Sequence, residues 1–338
     1  MFQVEPVRLM GSWTSKESGN LCSQCKQAAM GTLMMHKAYG AYAEECLTAV
    51  QREINTLEAK LSRFQSQSDI SQINQAAGRA CIAVSKDTIT VLRASQKFSN
   101  DHPEYFRITI GPLMDLWRAA SKTGLPPLEE EIQNCLPHVN DKDLLLEPEQ
   151  GSAGLRRAGQ VLDLGGIAKG YAANKILEIY NYFGVQSAYS NLGGNVTTLG
   201  IKPDGSPWKI GIQHPREEAG LIGLVTVENE AVVTSGDYQR YFLGRDGKRY
   251  HHILNPEIGV PTTSGLISVS IIAADAMTAD ALSTMVFIAG LEEGTELLRT
   301  YPQVNAILVD AKLNVWITNG LISRFQKTDK VRMRTLNL

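Results

Sequence analysis

The chain has 338 residues, of which 43% are hydrophobic and 20% are charged, with 29 glycines and 13 prolines. These proportions are typical of a globular protein and exclude a disordered, collagen-like or coiled-coil chain. Lysine and arginine number 33 against 35 acidic residues, which gives a formal charge of −2. No overall positive field attracts nucleic acid, so nucleic acid is not an expected partner.

The N-terminus and the cysteines predict a cytoplasmic protein. The first residues, MFQVEPVRLMGSWTSKESG, contain neither a basic segment followed by an apolar one nor a lipid-attachment cysteine. No apolar run reaches the roughly 18 residues that a membrane-spanning helix needs. The five cysteines are an odd number in a long chain, which favours a reducing compartment. Cys22 and Cys25 form a CxxC pair without a second pair, and we expect them to be inert.

The first third of the chain predicts a strand and two helices. Residues 1–28 are expected to form an N-terminal tail, and MGTLMMHKAYG then predicts a strand that ends at Gly40. SQSDISQINQAAG is expected to be a polar loop, and KDTITVLRASQKFSND a helix. The segment 41–64 predicts a long helix with one buried stripe, because its apolar residues recur every three or four positions: Cys46, Val50, Ile54, Leu57 and Leu61.

Strands dominate the second half. The charged, proline-bearing segment 122–148 is a possible surface insertion, and residues 159–184 predict a strand, a glycine turn and a helix that ends at Gly184. Strands are expected at QSAYSNLGG, WKIGIQHP, GLVTVENEAVVTS, a hairpin around RDG, LISVSIIAA and NAILVDAKLNVWIT, with DAMTADALSTMVFIAG as a helix. Long packing helices among hairpin-connected strands favour an α+β fold with mostly antiparallel sheets.

One candidate site is the glycine turn LDLGGIAKG, residues 162–170. Paired glycines between a strand and a helix let the backbone approach a ligand, and the N–H groups at a helix start favour an anion. Lys169 could neutralise such an anion. The segment is neither a GxGxxG fingerprint nor a P-loop, so a tight turn beside a surface lysine is the alternative.

A second candidate is the pair Asp280 and Thr284. Four residues apart on a predicted helix, a carboxylate and a hydroxyl project from one face and can present oxygens to a hard cation such as magnesium. Magnesium would need a backbone carbonyl, waters or phosphate oxygens for its remaining positions. The alternative is an exposed acid beside a threonine that bonds to its own helix.

The third candidate is the neighbouring pair His251 and His252. Adjacent residues of a strand point to opposite faces, so only one imidazole can look into a given cleft. That imidazole could act as a general base near neutral pH. The alternative is a histidine that is hydrogen-bonded within the hairpin.

The order of these segments resembles the FAD:protein FMN transferase family, also called ApbE, over roughly residues 29–320. The motifs are MGT at 30–32, LSRFQSQSDISQIN at 61–74, TIGPLMDLW at 109–117, LDLGGIAKGY at 162–171, NLGGNV at 191–196, WKIGIQHPR at 208–216, TSGDYQRYF at 234–242, HHILNPEIG at 251–259 and DALST at 280–284. Their order and spacing carry the resemblance. It implies an ApbE-like fold in one flavin transferase domain, residues 29–325, followed by a C-terminal tail at 326–338.

The resemblance also implies a chemistry. Proteins of this family bind FAD and, with magnesium, move its FMN half onto a threonine hydroxyl of an acceptor flavoprotein, releasing AMP. The implied base is His252, because it occupies the family's H-[IL]-[IL]-[DN]-P position. The implied magnesium ligands are the carbonyl of Ala168 and the side chains of Asp280 and Thr284. The implied FAD contacts are Met30, Phe64, Asp163, Lys169, Ser235, Gly236 and Asp237.

The chain departs from the family pattern at two places. Arg107 and Ile108 stand where the family often has Asp-Pro, and Ile258 stands where Thr is common. Arg107 is expected either to border the cleft or to be a solvated strand-end residue. The family's acceptor motif, similar to [DN]-x-x-[ST]-[GA]-A-T, is absent from this sequence, so self-modification is not expected. Two alternatives to the transferase are an FAD pyrophosphatase, which would release FMN and AMP, and a non-catalytic FAD-binding protein.

Overall fold

The computed structural model describes residues 10–17 and 20–336, with side chains from Leu21 onward. The helices in these residues are α1 (Ala43–Leu61), α2 (Asp69–Gln75), α3 (Lys86–Asp101), α4 (Gly111–Thr123), α5 (Glu129–Cys135), α6 (Ala168–Tyr182) and α7 (Ala276–Arg299). The strands are β1 (Met10–Glu17), β2 (Asn20–Ala29), β3 (Thr32–Tyr39), β4 (Ile82–Ala83), β5 (Leu144–Glu147), β6 (Ser152–Leu155), β7 (Ser187–Leu192), β8 (Asn195–Leu199), β9 (Trp208–Gln213), β10 (Leu221–Val227), β11 (Ala231–Gly236), β12 (Tyr241–Leu243), β13 (Arg249–His251), β14 (Leu266–Ala273), β15 (Asn305–Asp310), β16 (Asn314–Ile317), β17 (Phe325–Lys327) and β18 (Arg332–Thr335).

A ten-stranded sheet organises the fold. Its strand order is β1-β2-β3-β7-β8-β11-β14-β15-β16-β18, and its pairs are antiparallel except β16 with β18. Three small sheets accompany it, in the orders β17-β10-β9, β12-β13 and β4-β6-β5. Helices combined with mostly antiparallel sheets confirm the predicted α+β class.

Both faces of the large sheet are covered. Val233, Ile271 and Leu308 lie in the core that contains α1, α6 and α7. The residues next to them in sequence, Val232, Ile272 and Ile307, lie in a second core with β9 and β10. Because side chains alternate across a strand, each central strand feeds both cores. All eight residues of β14 are therefore buried.

The predicted long helix is confirmed as α1. All five residues of the predicted stripe are buried, and the burial is continuous along one side of the helix. The second predicted helix is confirmed as α3, where the Ser85 hydroxyl accepts a hydrogen bond from the Thr88 N–H and caps the first turn.

The polar loop predicted after α1 is wrong, because it contains α2. Ser68 caps this helix by accepting a hydrogen bond from the Ser71 N–H, and Ile70 and Ile73 are completely buried. Two apolar residues are enough to stabilise a short helix in a polar segment when its first turn is capped and both residues are buried in the same core. The strand predicted before the glycine turn is also wrong, because Val161 forms only an isolated bridge with Ile110.

The ends of the chain differ from the predicted tails. β1 and β2 lie within residues 10–29 and pair with each other at one edge of the large sheet. Near the other end of the sequence, β17 pairs with β10 and β18 pairs with β16. These largely polar strands lack a strong alternating pattern of apolar residues, and their pairing partners define them. Residues 1–9 lie outside the described residues, and the domain boundaries at 29 and 325 stay a prediction.

The cysteine pair lies inside the sheet rather than in a tail. Cys22 and Cys25 are three residues apart on β2, so their side chains point to opposite faces and cannot share a metal ion. Both are buried, and burial raises the pKa of the Cys25 thiol to about 12. A thiol that stays protonated is a poor nucleophile and metal ligand.

The segment 122–148 packs against a small core of its own. Ile132 of α5 and Val139 are buried with Leu113 and Trp117 of α4. The Trp117 ring lies 5.4 Å from the Tyr250 ring of β13, and its indole N–H donates to the Gly259 carbonyl. This small core therefore holds the hairpin β12–β13 and the turn after it against α4.

The two departures from the family pattern lie beside this small core. Arg107 donates to the carbonyls of Pro103 and Val139 and lies 3.4 Å from Glu257. Its guanidinium joins three loops, so the predicted role of a solvated strand-end residue is wrong. The predicted position at the border of the cleft stays a prediction. Ile108 is buried, and its N–H donates to the buried carboxylate of Asp141. Ile258 is 55% exposed.

No helix within residues 10–17 and 20–336 is long and apolar enough to cross a membrane.

Candidate functional site

The glycine turn is fixed by Asp163 and by an arginine that sequence reasoning missed. Asp163 accepts a hydrogen bond of 2.8 Å from the Gly165 N–H and pairs with Arg63 at 2.8 Å. Arg63 also pairs with Asp115 of α4, and only 7% of its side chain is exposed. One buried guanidinium thus holds the end of α1, the start of α4 and the turn before α6 together.

Helices α6 and α7 meet at Gly170. A Cβ at this position would lie 2.4 Å from the Ala276 carbonyl oxygen and 2.8 Å from the Cβ of Asp280. Only glycine allows this approach. The approach lets the Gly170 N–H donate to Asp280 Oδ2 at 2.9 Å.

Asp280 is therefore a buried carboxylate with several partners. It is 4% exposed, and Oδ1 accepts a hydrogen bond of 3.0 Å from the side-chain amide of Asn195. Lys169 Nζ lies 3.8 Å from the same oxygen. Asn195 was missed as a site residue, although it lies in the motif NLGGNV. Each carboxylate oxygen still has lone-pair capacity for a further partner.

Thr284 lies one turn further along α7 and faces the glycine turn before α6. A Cβ on Gly166 would lie 3.5 Å from Thr284 Oγ1. Ser235 Oγ, at the end of β11, lies 3.5 Å from Thr284 Oγ1 and 2.8 Å from Ser283 Oγ. Asp280 and Thr284 therefore both face the segment 166–170. Ala168, whose carbonyl is the third implied ligand, is the first residue of α6 and lies within this segment.

This cluster is poor in the usual metal-binding side chains. Within the described part of the chain, no group of three or more His, Cys, Asp or Glu residues could hold a metal ion. Asp280 is the one acidic member of the implied set. An oxygen set of a carboxylate, a hydroxyl and a carbonyl suits a hard cation such as Mg²⁺, which keeps several waters or binds substrate phosphates.

The two neighbouring histidines have different environments. His251 Nε2 lies 3.0 Å from the Thr262 carbonyl, and its ring meets the Phe287 ring edge-on at 5.6 Å. His252 Nδ1 lies 3.1 Å from the Arg240 carbonyl. A carbonyl can only accept, so Nδ1 of His252 carries the proton and Nε2 keeps its lone pair.

Both imidazoles are neutral at pH 7. Burial lowers the pKa of His252 to about 4, and the positive charges of Arg240 and Lys169 contribute to this shift. Burial also lowers the pKa of His251, against the hydrogen bond to Thr262, which raises it. The influence of Lys169 on His252 indicates that the hairpin end and the start of α6 share one electrostatic environment.

Asp237 follows the Ser235-Gly236 segment and is held by two arginines. Arg216 donates to both carboxylate oxygens at 2.7 Å, and Arg249 lies 3.8 Å away. Asp237 is 9% exposed. The bidentate pair fixes the direction of the carboxylate. Arg216 was not predicted, because it follows β9 and is distant in sequence from Asp237.

Met30 lies in the turn between β2 and β3. It has a positive φ of 49°, and its N–H donates to Glu58 of α1 at 2.8 Å. The carbonyl of the next residue, Gly31, accepts a hydrogen bond of 3.3 Å from Arg240. Since the Arg240 carbonyl is the partner of His252, one residue links the Met30 turn to the candidate base.

Phe64 is 67% exposed, which is unusual for a large aromatic side chain. The guanidinium of Arg118 lies 4.5 Å from its ring centroid and that of Arg63 lies 5.3 Å away. Arg63 is buried, whereas 43% of the Arg118 side chain is exposed. A planar ligand that stacks on the face beside Arg118 would displace this more exposed cation.

Together these contacts define an α+β protein whose glycine-lined helix start, buried carboxylate and neutral imidazole suit a phosphate-bearing ligand. The sequence model of the ApbE family matches residues 30–308, which is more than half of the chain. The protein therefore belongs to the ApbE family.

Individual relatives agree with this assignment. An FAD:protein FMN transferase of Klebsiella pneumoniae is 34% identical over 301 residues, covering 89% of this chain and 93% of that protein. One from Treponema pallidum is 30% identical over 321 residues, covering 90% and 88%. The crystal structure of the ApbE protein from Thermotoga maritima has a TM-score of 0.78 and 30% identity, covering 91% and 97%. The apo flavinyl transferase ApbE of Pseudomonas stutzeri has a TM-score of 0.75 and 29% identity, covering 86% and 92%.

Proposed function

We propose that this protein is an FAD:protein FMN transferase that moves FMN from FAD onto a threonine hydroxyl of an acceptor flavoprotein. The observation that supports it best is the contact between α6 and α7, where Lys169, Asp280 and Thr284 meet the glycine turn. The names of the relatives support the same activity. Positive charge, a helix start and a nearby neutral base are sufficient for this chemistry.

The proposed reaction exchanges one phosphorus–oxygen bond for another. The threonine oxygen attacks the phosphorus on the FMN side of the pyrophosphate and forms a phosphoester. The bond from that phosphorus to the bridging oxygen breaks, and AMP leaves with the electron pair. His252 Nε2 accepts the hydroxyl proton. Because burial lowers the pKa of His252 to about 4, the ring is unprotonated at pH 7 and can accept the proton, but the same shift makes it a weaker base than an exposed imidazole.

For magnesium we propose the carbonyl of Ala168 and the side chains of Asp280 and Thr284 as ligands. The lone pairs that remain on Asp280 and the oxygen-only donor set support this choice. A bound ion would supply positive charge to the pyrophosphate oxygens. Asn195 and the Gly170 N–H would orient the carboxylate, as partners of metal ligands commonly do.

For FAD we propose contacts with the Met30 turn, the exposed ring of Phe64, the Asp163 turn, Lys169 and the segment 235–237. The ring of Phe64 offers a stacking surface, and Lys169 offers charge to the phosphates. Arg216 would keep the Asp237 carboxylate in one orientation. We also propose a cytoplasmic location, which is supported by five cysteines, none of them in a disulfide.

The test is an incubation of the purified protein with FAD and Mg²⁺, with and without a probe protein that carries Asp-x-x-Ser-Gly-Ala-Thr. The expected result is flavin covalently bound to the probe and one AMP per flavin. FMN and AMP without labelled probe would instead identify a pyrophosphatase. Bound FAD without any AMP would identify a non-catalytic flavin-binding protein. Either result would contradict the transferase.

A further inference from the structure

Arg240 contacts the candidate base through its backbone and the Met30 turn through its side chain. Its carbonyl oxygen accepts two hydrogen bonds from His252, one from the backbone N–H and one from ring Nδ1, each 3.1 Å long. Its Nη2 donates to the Gly31 carbonyl at 3.3 Å. One residue therefore touches two separate parts of the candidate site.

The two hydrogen bonds to one carbonyl orient the imidazole. Because the backbone N–H and Nδ1 of His252 bind the same oxygen, rotation of the ring would break the second bond. Nδ1 is the donor, so Nε2 is unprotonated and lies at the ring position away from this carbonyl. The direction in which Nε2 presents its lone pair therefore depends on where the Arg240 carbonyl lies.

The side chain of Arg240 fixes that carbonyl relative to the large sheet. The hairpin β12–β13 forms a two-stranded sheet of its own, whereas the Met30 turn joins β2 to β3 of the ten-stranded sheet. The hydrogen bond from Arg240 to Gly31 bridges these two sheets. Met30 and Gly31 both have positive φ, 49° and 71°, which is the pattern of a two-residue type I′ turn, and Glu58 accepts from the Met30 N–H. Arg240 is therefore anchored to a constrained turn.

Arg240 also brings a positive charge to His252. Tyr241 pairs with His251, so Arg240 is opposite His252, and side chains of opposite residues point to the same face of a hairpin. Burial is the main cause of the low pKa of His252, and among the charged groups Arg240 contributes more than His251 and Lys169. The hydrogen bond to the Arg240 carbonyl raises the pKa, but by less than the charge lowers it. A neutral residue in place of Arg240 should therefore raise the pKa of His252.

We propose that Arg240 is a positioning residue for flavin transfer, which holds His252 against the Met30 turn so that Nε2 faces the phosphorus under attack. This inference rests on the proposed transferase function, and it adds a residue that neither binds the metal nor accepts the proton. A reacting group that is misplaced by about 1 Å can cost about 100-fold in rate. A residue that fixes the base therefore acts on kcat more than on the affinity for FAD.

The first experiment compares Arg240→Ala and Arg240→Lys with the wild-type protein and with the control Arg245→Ala. Arg245 is an arginine of the same hairpin, and its Nε also donates to a backbone carbonyl, that of Thr123. With FAD, Mg²⁺ and the Asp-x-x-Ser-Gly-Ala-Thr probe, Arg240→Ala should lower kcat about 10-fold to 100-fold. The Kd of FAD should rise by no more than about fivefold, as expected for one exposed charge. Arg240→Lys should recover part of kcat, and Arg245→Ala should match the wild type.

The second experiment follows the ring of His252 directly, by NMR titration of the purified proteins without substrate. The wild-type ring has a pKa of about 4, and in Arg240→Ala it should titrate at a higher pH. Arg240→Lys should keep the lower value, because it keeps the positive charge. A general loss of stability would not move the titration of this one ring, so the measurement separates a positioning role from a merely structural one.

Unchanged kcat in Arg240→Ala, or a loss confined to the Kd of FAD, would overturn the positioning role while leaving the transferase intact. An unchanged titration of His252 would also overturn it, since Arg240 would then not act on the base. If Arg240→Ala does not fold, Arg240→Gln, which keeps a hydrogen-bond donor and removes the charge, takes its place in both experiments. A wild-type protein that does not modify the probe would contradict the transferase itself, and the titration would still show whether Arg240 acts on His252.

Discussion

The adjacent imidazoles of His251 and His252 show how environment separates two identical side chains. His251 Nε2 donates a hydrogen bond to the Thr262 carbonyl, and its Nδ1 accepts one from the Ile253 N–H. Both ring nitrogens are therefore hydrogen-bonded within the protein. Among the residues that the structure describes, only the Arg240 carbonyl contacts the His252 ring through a hydrogen bond, at Nδ1. The nitrogen that remains on His252 is the one that we propose to accept a proton from the substrate.

We therefore expect His252→Ala to lower kcat for transfer by ~10²–10⁴-fold with the Kd of FAD nearly unchanged. His251→Ala should instead lower stability by about 1–3 kcal/mol, because it leaves the buried Thr262 carbonyl without its partner. Transfer kinetics, FAD titration and denaturant unfolding of both variants check the contrast. Similar losses of kcat in two well-folded variants would mean that the base is misassigned.

Asp280 combines a structural and a proposed catalytic role. Its carboxylate accepts the Gly170 N–H and the Asn195 amide, and removing it would leave two buried donors unsatisfied. Asp280→Ala should therefore abolish magnesium-dependent turnover and also cost about 1–3 kcal/mol of stability. Thr284→Ala should reduce magnesium-dependent turnover and stability by less than Asp280→Ala does.

The measurement is a magnesium titration of activity beside a denaturant curve for each variant. Asp280→Asn serves as the matched control, because it keeps the size of the side chain and removes its charge. Normal turnover of Asp280→Ala at ordinary magnesium concentrations would exclude Asp280 as a ligand.

At the scale of elements, the contact between α6 and α7 decides whether the site assembles. Gly170 lets the two helices approach, and the approach brings the glycine turn to Asp280 and Thr284. Helix α6 begins beside the glycine turn, so its first N–H groups face the region where an anion would bind. The site is a property of the helix pair rather than of either helix.

Gly170→Ala should separate these helices, because the added Cβ would lie 2.4 Å from the Ala276 carbonyl oxygen. We expect a loss of stability of about 1–3 kcal/mol from overpacking and a weaker affinity for FAD. Gly184→Ala is the control: its φ of 67° is strained for alanine, but no atom lies within 4 Å of the new Cβ. That variant should lose stability and keep FAD affinity. Equal FAD affinities in the two variants would show that the helix contact does not shape the site.

At the scale of the whole molecule, local patterns and long-range contacts were not equally predictable. The stripe of α1 was visible because one buried side repeats with the helical period. The Ser68 cap of α2 was overlooked in a polar segment, and β1, β2, β17 and β18 depend on distant pairing partners.

The same distinction applies to the candidate site. The positions of Asp280 and Thr284 on one helix followed from spacing alone. Arg63, Asn195 and Arg216 are 100, 85 and 21 residues from the carboxylates they contact, and no local pattern connects them. The resemblance to a family indicated the candidate site residues, and the structure showed the partners that hold them.

The folded molecule also buries neutral histidines, which makes its stability depend on pH. His36 on β3 is 1% exposed, and burial lowers its pKa to about 4. In the unfolded chain a histidine has a pKa of about 6.5. Between this pH and about 4, the unfolded chain therefore binds a proton at His36 that the folded protein does not bind. This contribution to stability is fully present above pH ~6.5 and is lost as the pH falls towards 4. His252 acts in the same direction.

His36→Leu should remove one of these contributions, since burial also lowers the pKa of His251 and of His252. The Ser190 hydroxyl, which lies 2.8 Å from His36 Nδ1, keeps a second partner in the Tyr180 hydroxyl at 2.7 Å, so the change leaves few unsatisfied groups. The free energy of unfolding of the wild-type protein should fall between pH 6.5 and 4.5, and the slope in the variant should be smaller by up to about 1.4 kcal/mol per pH unit. Denaturant unfolding at several pH values in this window measures both slopes. Parallel lines for the two proteins would mean that His36 is protonated in the folded state, and that its burial does not set the acid sensitivity of the fold.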